Sequence, residues 1–153
     1  MNAFKTYMTT KKELEVVESR LRYLYDKEEV LAAKYLGIKQ APIFSESTTH
    51  NSPTNDSTVI QFIYEIEDKK QRNGLSIKEE IKTLENERKR LTESISKMEK
   101  ALREMEGLEY QLFYLIKVEG KKPKKAVHIT AETSGLSLAT IWRHYANMKE
   151  SLK

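Results

Sequence analysis

From Ile77 to Met105 the sequence returns to an apolar residue every three or four positions, and this pattern constrains the fold more than any other feature. Ile77, Ile81, Leu84, Arg88, Leu91, Ile95, Met98, Leu102 and Met105 alternate steps of four and three without a slip, and charged residues fill most of the places between them. Such spacing puts the apolar set on one face of an α-helix, whereas a strand would need a period of two. Over four heptads it specifies a coiled-coil helix whose seam must be covered by another helix. Arg88 is the one polar residue in the seam. Its stem can pack while its guanidinium reaches a flanking glutamate such as Glu85 or Glu87; alternatively it sets register or partner number.

A second amphipathic helix is expected over residues 7–36, where Tyr7, Leu14, Val17, Leu21, Leu24, Leu31 and Tyr35 follow a 3-4 spacing interrupted by Thr10 and Glu28. Val16, Tyr23, Tyr25 and Val30 widen its stripe, so more burial than a two-stranded seam is expected. Gly37 is a natural stop. Residues 38–56 are rich in Ser, Thr, Asn and Pro and read as a flexible polar linker. Asp56 or Ser57 then offers an N-cap to a helix carrying Val59, Ile60, Phe62, Ile63 and Ile66. Asn73-Gly74 interrupts that helix or at least weakens it, and Ser76 with Glu79 has capping-box spacing ahead of the heptads. Only 39% of the chain is hydrophobic against 33% charged, with five Gly and three Pro, which suits long solvated helices rather than one large core.

The last third differs in charge. Residues 107–153 hold eight Lys or Arg against four Glu, while the first 106 residues hold nineteen of each sign. All of the net +4 therefore sits at one end, an asymmetry that suggests a polyanion-facing tail on a neutral body. Gly107 breaks the heptads, and Leu108, Leu112, Leu115 and Ile116, with Phe113 and Tyr114, form a short wide-striped helix ending near Gly120. Lys121-Lys122-Pro123-Lys124-Lys125 follows, with proline placed to start a helix that runs to Ser134. Gly135 stops it, and Ser137 caps a last helix from Leu138 to near Leu152. Ala131, Gly135 and Ile141 stand four and then six residues apart, the separations preferred in a helix-turn-helix. The small residue lets two helices approach, the glycine takes positive φ in the turn, and the branched residue locks the second helix onto the first. Leu136, Tyr145 and Met148 are further core candidates, whereas Thr130 and Ser134 fall where apolar residues are more usual.

The expected fold is all-α: an elongated coiled-coil or helical-hairpin module, then a three-helix helix-turn-helix domain. Its segments are an N-terminal helix (1–37), a linker (38–56), a helix plus coiled coil for dimerisation (57–106) and the DNA-binding part (107–153). In that arrangement the last helix lies in a major groove of double-stranded DNA. Ser137, Leu138, Ala139, Thr140, Trp142 and Arg143 are the candidate base contacts. Arg143 suits a bidentate guanine contact, worth about 1–3 kcal/mol of discrimination. Leu138 and Ala139 suit thymine methyls, and Thr140 a base edge, a phosphate or a cap. Trp142 either packs against the first helix of the unit or a dimer mate, or makes an apolar or phosphate contact with DNA through its ring edge and indole N–H. Lys121, Lys122, Lys124 and Lys125 suit phosphates, giving affinity without sequence information. The seam from Ile77 to Leu102 is open to pairing within the chain or between chains. A homodimer is favoured because twofold symmetry matches DNA half-sites.

The stretch from Leu108 to Gly120, followed by Ala131, Gly135, Ser137 and Thr140-Ile141-Trp142-Arg143-His144, resembles a sigma-factor region 4 helix-turn-helix. Behind a helical front and a polar linker, it is similar to phage and prophage late-transcription regulators of the ArpU and RinA type. The resemblance implies an activator of late or packaging genes in a bacterial host cell, acting on promoter DNA with RNA polymerase as a possible partner.

Nothing in the sequence points to catalysis or a cofactor. His50, His128 and His144 lack metal-ligand spacing, no glycine-rich phosphate loop is present, and the chain has no cysteine. With no apolar run near the ~18 residues of a membrane span and no signal-peptide block, a cytoplasmic setting is expected. The rival readings are a coiled-coil adaptor for another protein and a DNA-packaging subunit akin to a small terminase.

Overall fold

The computed structural model describes the backbone of residues 2–39 and 54–153 and the side chains of 2–37 and 57–153. Six α-helices are described: α1 (Ala3–Lys39), α2 (Thr54–Ile63), α3 (Ile77–Glu104), α4 (Leu108–Phe113), α5 (Pro123–Ser134) and α6 (Leu138–Ser151). Helices α2 and α4 each close with a π-helical turn, at Tyr64–Asp68 and Tyr114–Val118. The chain is all-α, with no strand among the described residues. No helix among them is long and apolar enough to cross a membrane.

Three helix boundaries depart from those expected. Helix α1 starts at Ala3, because Asn2 caps it: its Oδ1 accepts the Lys5 N–H at 2.8 Å. The helix also runs through Gly37, which has no positive φ here; a helical glycine costs about 1 kcal/mol relative to alanine but does not forbid the next turn. The linker expected at residues 38–56 is helical at both edges, and 40–53 lie outside the described residues. The predicted Asp56 or Ser57 start gives way to Thr54. Gly135 has the expected positive φ, and Gly74, Gly107 and Gly120 have it too. Ser76 caps α3, its Oγ accepting the Glu79 N–H at 3.2 Å.

The chain packs as two units, residues 15–89 and residues 1–14 with 90–153, so α1 and α3 each contribute to both. Helices α4, α5 and α6 fall in the same unit as residues 1–14 and 90–106. Phe4 and Tyr7 of α1 and Ile95 and Leu102 of α3 belong to the same buried cluster as α4, α5 and α6.

In the unit of residues 15–89, Leu21, Leu24, Tyr35, Ile66, Ile77 and Ile81 are buried. Glu80, 7% exposed, organises one end of it. Its carboxylate accepts from Arg20 Nε at 2.7 Å and Nη2 at 2.9 Å, and from Gln71 and Asn73 at 2.9 and 3.0 Å. Arg20 foremost holds its pKa below the ordinary 4.5. The Tyr25 hydroxyl donates to Glu85, and the Tyr35 hydroxyl to Glu65 at 2.8 Å. Arg88 is half-buried with its head near the Tyr25 hydroxyl.

The seam expected to hold a dimer together is covered within one chain. Ile77, Ile81, Leu91, Ile95 and Leu102 are at most 9% exposed, and Leu84, Arg88 and Met98 are half-buried. In the other unit Ile95 and Leu102 belong to one cluster with Phe4 and Tyr7 of α1. A second copy is not what buries this stripe. Conversely, Val16, Tyr23, Tyr25 and Val30, expected to add burial, are 37–69% exposed.

Candidate nucleic-acid interface

Helices α4, α5 and α6 are held by an apolar cluster in which Leu112, Phe113, Ala126, Val127 and Ile141 are fully buried and Met148 is 1% exposed. Phe4 stacks on Phe113 with centroids 4.4 Å apart, and Tyr7 meets the same ring edge-on at 5.7 Å. The Tyr7 hydroxyl donates to Glu99 Oε1 at 2.8 Å. Burial first, and then Glu99, raise its pKa far above the ordinary phenol value. Asn2 Nδ2 donates to the Ser151 carbonyl at 2.8 Å, tying the start of α1 to the last turn of α6. The sequence reading missed Asn2 and Phe4 because it began the helix at Tyr7. An N-cap asparagine two residues ahead of an aromatic was the available signal.

Residues 135–137 turn the chain between α5 and α6. Gly135 caps α5 with φ of +74° and ψ of +10°, its N–H bonded to the Ala131 carbonyl at 2.9 Å. A Cβ built there would meet nothing within 4 Å, so the glycine is required for its backbone angle and not for space. The Ser134 hydroxyl accepts the Leu136 N–H at 3.3 Å. Leu136, expected in the core, is 45% exposed, because the left-handed turn points it out. Thr130 is 1% exposed, and its hydroxyl has no hydrogen-bond partner among the described residues.

On α6, Ile141 and Met148 are buried and Tyr145 is packed on the cluster, while the opposite face is open. Leu138, Ala139, Trp142, Arg143 and Ala146 are all exposed. Arg143 makes no ion pair among the described residues. Trp142, 40% exposed, meets Tyr145 of its own helix edge-on at 5.4 Å. Two of the expected base contacts have local work: Ser137 Oγ accepts the Thr140 N–H at 3.3 Å, and the two hydroxyls lie 2.9 Å apart. Both therefore serve first as the cap of α6. His144 is half-buried, with Nδ1 3.5 Å from Glu109 Oε1. His128 is exposed, His50 lies outside the described residues, and no metal-binding cluster occurs among the described residues.

The four lysines flank the start of α5. Lys122, Lys124 and Lys125 are exposed; Lys121 is half-buried with Nζ 3.8 Å from Glu119. Pro123 occupies the first turn, and Lys122 as N-cap offers no side-chain acceptor. The leading backbone N–H groups of α5 thus have no side-chain cap from Lys122, and the positive end of the helix dipole has lysines beside it, a chemistry suited to anions. No protein-family model matches the chain, and no curated protein and no solved structure matches it either.

Proposed function

We propose that α5, its glycine turn and α6 form a helix-turn-helix that reads double-stranded DNA, and that the protein is a transcription regulator. The observation that supports this most directly is the division of α6 into two faces. Ile141 and Met148 are sealed against the cluster, while Leu138, Ala139, Trp142 and Arg143 are open along the outside. A recognition helix needs that division, since the face that enters a groove must be free before DNA arrives. Arg143 is the guanine-reading candidate, and Lys122, Lys124 and Lys125, with Lys121 nearby, are the phosphate contacts. The reading needs no cofactor and no catalytic step. The resemblance to ArpU- and RinA-type regulators extends it to activation of phage late or packaging genes, with RNA polymerase as a partner.

Titration of labelled duplexes from the flanking genomic regions tests this. Arg143→Ala should lower discrimination between duplexes by roughly 5- to 150-fold, the equivalent of about 1–3 kcal/mol. Replacing the four lysines by alanine should weaken all duplexes alike and flatten the salt dependence by about 0.9 in slope for each phosphate no longer neutralised. Binding that ignores salt and all five substitutions would refute DNA recognition by this face and favour the protein-adaptor alternative.

A further inference from the structure

In the first two turns of α6 the exposed side chains are Leu138, Ala139, Trp142 and Arg143. Three of these four are apolar, and Leu138 and Trp142 are 41% and 40% exposed. The hydroxyls of Ser137 and Thr140 beside them lie 2.9 Å apart and serve the helix cap. Arg143 is the one exposed charged group there. Leu138 and Ala139 can neither donate nor accept a side-chain hydrogen bond, and Trp142 offers a single indole N–H. Base pairs present hydrogen-bonding groups in the major groove and one apolar group, the C5-methyl of thymine. A face of this composition gains by burial against such a methyl. We propose that α6 reads a pyrimidine 5-methyl group within two base pairs of the guanine held by Arg143, with Leu138 and Trp142 as the specificity-determining side chains.

This inference rests on the DNA-binding reading and goes beyond it by naming the chemical feature that is read. Helical spacing sets the distance. Leu138 and Trp142 are four residues apart, so they share one line of the helix and stand ~6 Å apart along its axis. Ala139 and Arg143 form the neighbouring line, one residue on. Base pairs rise by ~3.4 Å, so ~6 Å of helix spans two base steps. The ring of Trp142 meets Tyr145 edge-on at 5.4 Å, and Tyr145 packs on the buried cluster. Such support lowers the entropy cost of setting the ring against a base. 5-Methylcytosine carries the same methyl at the same ring position as thymine, so cytosine methylation at that position is read in the same way.

The test removes the methyl and nothing else. In the flanking genomic duplex that the full chain binds most tightly, each thymine is replaced in turn by uracil, which keeps every hydrogen-bonding group. Burial of one such carbon corresponds to about a fourfold change in affinity. Kd should therefore rise about fourfold at one or two positions, within two base pairs of the guanine at which Arg143→Ala loses discrimination. With cytosine placed there, adding its 5-methyl should tighten binding by about the same factor. Leu138→Ala and Trp142→Ala, both at exposed positions, should erase the difference between thymine and uracil. Their salt dependence, set by the lysines, should stay as it was, and far-UV helicity checks that they fold. Uracil without effect at every position, or a methyl response that both variants keep, would overturn this inference. The DNA-binding reading would survive either result if binding stayed salt-dependent and sensitive to Arg143→Ala. Binding to no duplex at all would sink both.

Discussion

Replacing Tyr7 by alanine should destabilise the unit that carries Arg143, although the two residues are far apart in sequence. Tyr7 is fully buried against Phe113, and an aromatic side chain buries about 150–250 Å². At about 25 cal/mol per Å² this comes to about 4–6 kcal/mol, and observed costs of removing a core aromatic ring are about 3–5 kcal/mol. We take about 4 kcal/mol as the expectation. Tyr7→Phe keeps the ring and loses only the bond to Glu99, a half-buried carboxylate that water can reach, so about 1 kcal/mol is expected. Trp142, the one tryptophan, lies on α6 and reports this unit by fluorescence. With a urea m-value of about 2 kcal/mol per M, its midpoint should fall by about 2 M for Tyr7→Ala and by about 0.5 M for Tyr7→Phe. An unshifted Trp142 transition in Tyr7→Ala would refute the shared core. A fragment of residues 107–153, which lacks Phe4, Tyr7, Ile95 and Leu102, should show no cooperative transition at all.

Leu91→Asp places a charge at a site 2% exposed within the chain, so it should abolish the far-UV helical signal instead of merely separating subunits. Retained helicity would argue against burial of the seam within the chain. Glu80 has a folded pKa below its unfolded one, so its contribution is present above pH ~4.5 and is lost as pH falls through the lowered folded value. Glu80→Gln should therefore be less stable at pH 7 and show a flatter acid limb between pH 5 and 3 in urea titrations; an unchanged limb would remove Glu80 from that role. Gly135→Ala should cost about 1–2 kcal/mol from backbone strain alone, and Gly135→Asn less. Thr130→Val removes a buried hydroxyl that lacks a partner and should leave the thermal midpoint equal or higher.

Much of the local structure was legible because local rules govern it. Heptad spacing announced α3, Ser76 and Ser137 announced the caps of α3 and α6, Pro123 the first turn of α5, and Gly135 a left-handed stop. Each depends on a few neighbouring residues, which sequence displays directly. On α6, Arg143 and Trp142 stand on the exposed side that a 3.6-residue period predicts from Ile141 and Met148. Leu136 was misplaced because one left-handed residue redirects the side chain that follows it, which periodicity does not express.

Which surfaces meet was decided by tertiary structure. An apolar stripe states that it must be covered but not by what, and so the α3 seam, expected to join two chains, is covered within one. The same indifference made Val16, Tyr23 and Val30 look like interior residues when the fold leaves them outside. Burial is a property of three-dimensional neighbours: the ring of Phe113 is enclosed by Phe4 and Tyr7, more than a hundred residues earlier in the chain, and no spacing rule reaches that far.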